Sequence, residues 1–272
     1  MTVAEALRAA AGRLAASSDT ARLDAELLMA HALGISRSDM LLRGMGEGAP
    51  GSFDGLIDRR AAREPVAHIL GWQEFYGRRF RVTRDTLIPR SDSEVLVDAA
   101  LEIAPRASRV LDLGTGSGAL LLSVLAETGA AGIGTDRSEP ALAVARENAL
   151  GLGMAARASF ERRDWRAEGW TAGLGAFDLI LCNPPYVEDG ADLEPNVRDF
   201  EPAGALFAGP EGLGDYRIVV PQLRELMTDG GIAVLEIGHR QAEAVSTIGR
   251  DNGFAVAARR DLGGRERVLV LT

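Results

Sequence analysis

Apolar positions along the chain follow three successive patterns. From Val3 to Ala16, and again from Ala21 to Leu33, they recur at helical spacing, with Asp19 or Thr20 placed to cap the second helix. Arg37 to Leu42 and Phe53 to Arg63 are shorter helical candidates, separated by the glycine-rich stretch Gly44 to Gly51. Between about residues 75 and 90 the period shortens to two. The run Phe75-Tyr76-Gly77-Arg78-Arg79-Phe80-Arg81-Val82, then a turn-like Thr83 to Thr86 and Leu87-Ile88-Pro89, predicts a hairpin joining two domains. From about residue 91 onward, apolar runs end at Leu113, Thr135, Phe160, Cys182 and Glu236, with helical segments such as Glu139 to Leu150 and Tyr216 to Met227 between them. This alternation predicts a mostly parallel sheet covered by helices on both faces. Phe254 to Ala258 and Arg267 to Leu271 read as an antiparallel edge pair.

Composition narrows the class. Hydrophobic residues make up 46% and charged residues 25% of the 272, which is ordinary for a folded globular chain. No apolar run reaches the ~20 residues that span a bilayer, and Met1 to Ala16 carries no signal-peptide core. A cytoplasmic protein without membrane contact is expected. The single cysteine, Cys182, excludes an internal disulfide and a multi-cysteine metal cluster, and reads as a small buried strand residue. His31, His68 and His239 lack a metal-like spacing, so no metal is expected. Every basic residue is an arginine, which removes lysine-based chemistry. The net charge of −9 is unevenly placed: residues 1–86 carry 12 Arg against 11 Asp and Glu, so the acidity lies in the remainder. An acidic body is a poor match for duplex nucleic acid. The local cluster Arg78, Arg79, Arg81 and Arg84 reads as a solvated strand face.

Candidate chemistry begins where Arg109-Val110-Leu111-Asp112-Leu113 runs into Gly114-Thr115-Gly116-Ser117-Gly118, with a helix starting near Ala119. Such a turn lets backbone N–H groups approach a ligand without Cβ interference and places a helix N-terminus against it. Asp136 ends the next strand, where a carboxylate can accept both hydroxyl hydrogens of a ribose. Gly114-x-Gly116-x-x-Ala119 also fits a dinucleotide fingerprint. Asp112 argues instead for S-adenosylmethionine, because a carboxylate sits badly beside a pyrophosphate but suits a ligand with an ammonium group. Asp164 and Trp165, after the third strand, are placed to flank an adenine, and Trp165 serves equally well as a core aromatic.

Asn183-Pro184-Pro185-Tyr186 follows the strand Phe177 to Cys182. Two prolines stiffen the turn and remove donors, so it offers the Asn183 side-chain oxygen and the Pro184 carbonyl as acceptors, with an aromatic at the rim. This suits a flat –NH₂ group with two hydrogens to donate. Amide nitrogen is a poor nucleophile because its lone pair is delocalised, the resonance behind the ~18–20 kcal/mol barrier to peptide rotation. Acceptors placed where the hydrogens move as the nitrogen turns pyramidal stabilise the transition state selectively. A glycine turn alone fits an NAD-dependent oxidoreductase, but that leaves Asn183 to Tyr186 unexplained.

These motifs, together with Asp24-Ala25-Glu26-Leu27-Leu28, Pro65 to Gly71, Glu74-Phe75-Tyr76-Gly77, Leu87-Ile88-Pro89-Arg90, Glu201-Pro202 with Ala205 to Gly209, and Glu236-Ile237-Gly238-His239, resemble the protein-(glutamine-N5) methyltransferases that modify bacterial class I peptide chain release factors. The resemblance covers nearly the whole chain. It implies an α/β fold: a seven-stranded Rossmann-like class I methyltransferase sheet over residues 93–272, an N-terminal helical substrate-docking bundle over 1–75, and a hairpin linker over 76–92. It implies S-adenosyl-L-methionine as cofactor, held by Gly114, Thr115, Gly116, Ser117, Gly118, Asp136, Asp164, Trp165 and Asn183. The target is the glutamine of the release factor's Gly-Gly-Gln loop. It is bound by Asn183, Pro184, Pro185 and Tyr186, with Asn183, Pro184 and Tyr186 as the catalytic set. A monomer acting on protein without direct nucleic-acid contact is expected. Where the family has Pro-Glu-Thr-Glu this chain has Ser91-Asp92-Ser93-Glu94, which keeps charge and loses a proline. The alternatives on sequence are a glutamine methyltransferase of a large-subunit ribosomal protein and an adenine N6 methyltransferase of nucleic acid, acting on a flipped base.

Overall fold

Helical stripes at the N-terminus close on themselves through a short list of local devices. The first helix, Val3–Leu14, starts with a capping box: the Glu5 amide donates to the Thr2 hydroxyl, and the Thr2 amide to the Glu5 carboxylate. The second, Ala21–Leu33, ends at Gly34 in the left-handed conformation (φ 68°). Thr20 stands at its N-cap position without capping it, since its hydroxyl donates to Asp24 at 2.9 Å. The candidate over Arg37 to Leu42 is a single α-turn, Arg37–Asp39, running into a π-helical turn, Met40–Gly44. Phe53–Ala61 follows. A five-residue helix, Val66–Leu70, was not predicted, being too short to show a period. Val3, Leu7, Leu14, Leu28, Met29, Met40, Phe53 and Ile57 form the core of this bundle.

The computed structural model describes all 272 residues, Met1–Thr272. The chain forms two units, Met1–Trp72 with Leu193–Phe200, and Gln73–Asp192 with Glu201–Thr272. No helix is long and apolar enough to cross a membrane.

The predicted hairpin is present, with its turn inside the expected strand run. Strands β1 (Trp72–Phe75) and β2 (Arg78–Arg81) are joined by Tyr76 and Gly77, both at positive φ (50° and 69°). That pair of angles matches the twist of a tight hairpin, and a tyrosine holds it only under restraint. Here the Tyr76 amide donates to Glu94 at 2.8 Å and its hydroxyl to Asp98 at 2.8 Å. Leu87-Ile88-Pro89 is irregular rather than a strand. The basic cluster is spent partly on ion pairs, Arg78 with Glu127 and Arg81 with Glu147.

The second unit holds a seven-stranded sheet built from β3 (Arg109–Leu113), β4 (Ala131–Asp136), β5 (Ala158–Arg162), β6 (Phe177–Cys182), β7 (Met227–Glu236), β8 (Val256–Arg260) and β9 (Glu266–Leu271). Its order is β5-β4-β3-β6-β7-β9-β8, with β3, β4, β5, β6 and β7 parallel and β9 antiparallel to both neighbours. This is the class I methyltransferase sheet. Period two sorts its side chains onto two cores. Val110, Leu179, Leu181, Val234 and Val268 face one side with the helices Glu94–Ile103, Ala119–Glu127 and Glu139–Gly151. Leu111, Leu113, Ile180, Cys182, Leu235 and Leu269 face the other, against the segment Gly214–Leu226 and the helix Ala242–Asp251. Strands buried on both faces read as unbroken apolar runs. The helix expected over Tyr216 to Met227 is α-helical only to Val219 and tightens to 3₁₀ from Val220. Pro221 supplies no N–H to continue the α ladder.

Candidate active site

Chain order places β3 centrally, sends β4 and β5 to one side, and then returns to the other with β6. The carboxyl ends of β3 and β6 therefore flank a switch point, where open α/β sheets leave a crevice. A cavity of about 290 Å³ lies there, and every residue lining it belongs to the second unit. The glycine turn follows β3, Asp136 ends β4, Asp164 and Trp165 follow β5, and Asn183 follows β6.

The turn after β3 needs its glycines. Gly114, Gly116 and Gly118 all have positive φ (71°, 54° and 81°), and a Cβ on Gly114 would meet the Trp165 ring at 3.1 Å. The turn is tied to the next strand: the Gly114 and Thr115 amides both donate to the Thr135 carbonyl at 2.9 Å, and the Gly116 amide to Asp136 Oδ2 at 3.0 Å. Asp136 Oδ1 accepts from the Ser138 amide at 2.9 Å. Each oxygen so oriented keeps a lone pair for a further donor in the cavity. Burial pushes the Asp136 carboxyl up from its ordinary value, against the pull of these amides.

Of the expected cofactor residues, Gly114, Thr115, Gly116, Ser117, Asp136, Asp164, Trp165 and Asn183 line the cavity; Gly118 does not, standing behind at the start of the helix Ala119–Glu127. Trp165 does both things the sequence allowed. It lines the cavity and packs on the second core, and its indole N–H donates to Asp215 at 2.8 Å. Asp215, 1% exposed, also takes two bonds from Arg166 at 2.8 and 3.0 Å. Nothing in the sequence singled it out, since a lone acid at a helix start is common.

Asp112 is a correction. It does not line the cavity but points inward, 1% exposed, accepting from the Thr115 hydroxyl at 2.6 Å while its Oδ1 makes no hydrogen bond. Burial raises its carboxyl to about 7. Its hydrogen bond is to the glycine turn.

The four residues after β6 divide in the same way. Asn183 and Pro185 line the cavity; Pro184 is buried and, like Tyr186, is not part of the lining. The placement of Tyr186 at the cavity rim is thus also corrected. Its hydroxyl turns away to Glu236 Oε1 at 3.2 Å, and its carbonyl accepts from Gln241 at 3.0 Å. Phe75, Leu87, Pro89, Arg90, Ser93 and Pro202 also line the cavity. Glu201, 5% exposed, accepts from the Ile88 amide at 3.0 Å and pairs with Arg90, so two distant loops are held together there. The segment that lost the family's proline is held by bonds instead: Asp92 pairs with Arg267 at 3.0 Å and Glu94 takes the Tyr76 amide.

The arrangement fits S-adenosylmethionine. Asp136 with its spare lone pairs, the glycine turn, the Trp165 ring and Asn183 on its proline-stiffened turn all line one cavity.

Two family models match the chain: the PrmC N-terminal domain over residues 5–71 and a methyltransferase domain over residues 105–250. The release factor glutamine methyltransferase of Cereibacter sphaeroides is 45% identical, with 99% of this chain and 98% of the relative covered. That of Moorella thermoacetica is 42% identical, with 98% and 97% covered. Among solved structures, a methyltransferase from Pyrococcus furiosus matches with a TM-score of 0.51 at 16% identity, covering 71% of this chain and 87% of that one. It speaks for the fold alone.

Proposed function

The chain belongs to the release factor glutamine methyltransferases, and from that premise we propose how its cavity moves a methyl group from S-adenosyl-L-methionine to the N5 amide nitrogen of a release-factor glutamine. The substrate is the glutamine of the Gly-Gly-Gln loop of class I release factors. When bound, the cofactor supplies an electrophilic methyl on a cationic sulfonium. Asp136 takes the two ribose hydroxyls on its spare lone pairs, Asp164 the adenine amine, and the Trp165 ring closes the pocket beside Gly114. The Asn183 side-chain oxygen in the lining takes one hydrogen of the target amide, and the carbonyl of Pro184, a residue otherwise buried behind that lining, takes the other. They hold them where they lie once the nitrogen lone pair leaves conjugation. The stiff turn keeps both acceptors in place before the substrate arrives, so orientation carries much of the rate. No strong base is needed, because an N-methylated amide cation loses its proton to water readily.

The observation that carries this reading is that Asp136 and Asn183, from different strand ends, line one cavity with the glycine turn. The helical unit contributes nothing to that lining, which supports a role in docking the release factor. The acidic charge of −9 supports a protein rather than a nucleic-acid partner, and the same reading makes the enzyme a cytoplasmic monomer. The test is transfer of labelled methyl to purified release factor beside a copy with the loop glutamine changed. Label on the first and none on the second is expected. Label on neither would overturn the substrate and turn the search to a ribosomal-protein glutamine or an adenine base.

A further inference from the structure

We propose that Glu236 is a positioning residue for methyl transfer, acting through Tyr186 on the turn that carries Asn183. The proposal rests on the methyltransferase reading above. Glu236 ends β7, the strand beside β6, and is 1% exposed. A strand residue between Leu235 and Ile237 gains nothing for packing by being a carboxylate, because burying one without a full set of partners is costly. Its Oε1 accepts from the Tyr186 hydroxyl at 3.2 Å, Ser93 is its other hydrogen-bonding neighbour, and the Arg267 charge lies near it.

Tyr186 is gripped at both ends. Its backbone carbonyl accepts from Gln241 Nε2 at 3.0 Å, and the same nitrogen donates to the Gly212 carbonyl at 3.1 Å. Gln241 Oε1 accepts from the Gly238 amide at 3.0 Å. The ring lies so close to Gly238 that a Cβ there would come within 3.5 Å of Tyr186 Cδ2. Upstream, Cys182 is fixed by pairing with Leu113 and Leu235 on either side. The four-residue turn is therefore clamped before Asn183 and after Pro185, and its two prolines remove most of the freedom between. The tyrosine hydroxyl, facing the sheet rather than the cavity, serves as the far anchor. A displacement of an acceptor by a fraction of an ångström acts on the transition state more than on binding.

The experiment uses the full chain with intact release factor. It compares Tyr186→Phe, Glu236→Gln, Glu236→Ala and the double variant Tyr186→Phe/Glu236→Ala. Methyl transfer is measured as kcat and KM, beside calorimetric titration of the cofactor and thermal melting. Tyr186→Phe, which removes one oxygen and leaves the ring, is expected to lower kcat about tenfold, with KM and cofactor affinity within about twofold. Glu236→Gln keeps an acceptor for the hydroxyl and should retain most of the rate. In the double variant kcat should fall no further than in Tyr186→Phe alone. Unchanged kcat in Tyr186→Phe, or additive losses in the double variant, would overturn the clamp, and Tyr186→Phe decides the matter even where Glu236→Ala fails to fold. A wild-type enzyme that binds cofactor but leaves release factor unlabelled would instead overturn the substrate reading, and with it this role for Glu236.

Discussion

Buried acids occur in both units, and two of those in the sheet unit are treated as none in the helical unit is. In the helical unit Asp24 accepts from Arg60 at 2.6 Å, Ser18 at 2.7 Å and Thr20 at 2.9 Å, and Glu26 from Arg22 at 2.6 Å and Arg37 at 2.8 Å. Burial opposes ionisation of Glu26, but the two guanidinium groups outweigh it and hold its carboxyl below the usual range. In the sheet unit Asp112 and Glu236 are as deeply buried, yet neither accepts from an arginine: Thr115 donates to Asp112, and Tyr186, with Ser93 beside it, to Glu236. Burial raises both. The helical unit spends its buried charge on holding helices together. The sheet unit pairs Asp215 with Arg166 and Glu201 with Arg90 in the same way, and leaves only Asp112 and Glu236 without an arginine; these two sit directly behind turns that line the cavity.

The largest effect should come from breaking a complete pair. Arg60→Ala strands Asp24 in the helical core and should cost about 3–5 kcal/mol in denaturant unfolding. Cofactor affinity measured below the melting temperature should stay unchanged; a matching loss of affinity would mean the two units are not energetically separate. Next is Asp112. Its folded pKa, about 7, lies above the ordinary 3.8, so its contribution to stability is full below about pH 4 and is lost as pH rises through 7. Asp112→Asn has no such loss. It should therefore gain on the wild type between pH 4 and 8, by up to about 4 kcal/mol. A difference flat with pH would remove Asp112 from the poorly paired class.

Asn183→Ala should lower methyl transfer roughly ten- to hundredfold, or about 1–3 kcal/mol, with cofactor binding retained. Near-normal turnover would reject its role as acceptor for the target amide. The smallest effect belongs to an exposed pair of the helical unit, Arg13 with Asp58. Asp58→Ala should shift stability by less than about 1 kcal/mol, because exposed pairs gain little over hydration. A larger shift would show that burial is not what separates the two kinds of pair.

Much of this molecule was legible beforehand, for reasons that are local. The glycine turn announces itself because its positive-φ positions exclude other residues, and Asn183-Pro184-Pro185-Tyr186 because an amide, two prolines and an aromatic together end a strand two strands after Asp136. Apolar runs placed all seven sheet strands, since the central ones are buried on both faces and read as unbroken stretches between polar turns. The errors lay where a period carries no information. Tyr76-Gly77 looks like strand until the turn is seen to require positive φ at both positions. Helical spacing ran on past Pro221, where the ladder could not.

The chain by itself marked the glycine turn, Asp136, Asp164, Trp165 and Asn183 as candidates, because period and backbone restriction are written residue by residue. Only the tertiary structure decided which way the strand-end side chains turn. Asp112 goes inward to Thr115, Trp165 is pinned by Asp215, and Tyr186 is drawn off to Glu236. The last two partners each lie 50 residues away in sequence. A hydrogen bond between groups so far apart has no local signature, because it exists only once the sheet has set their strands and helices side by side.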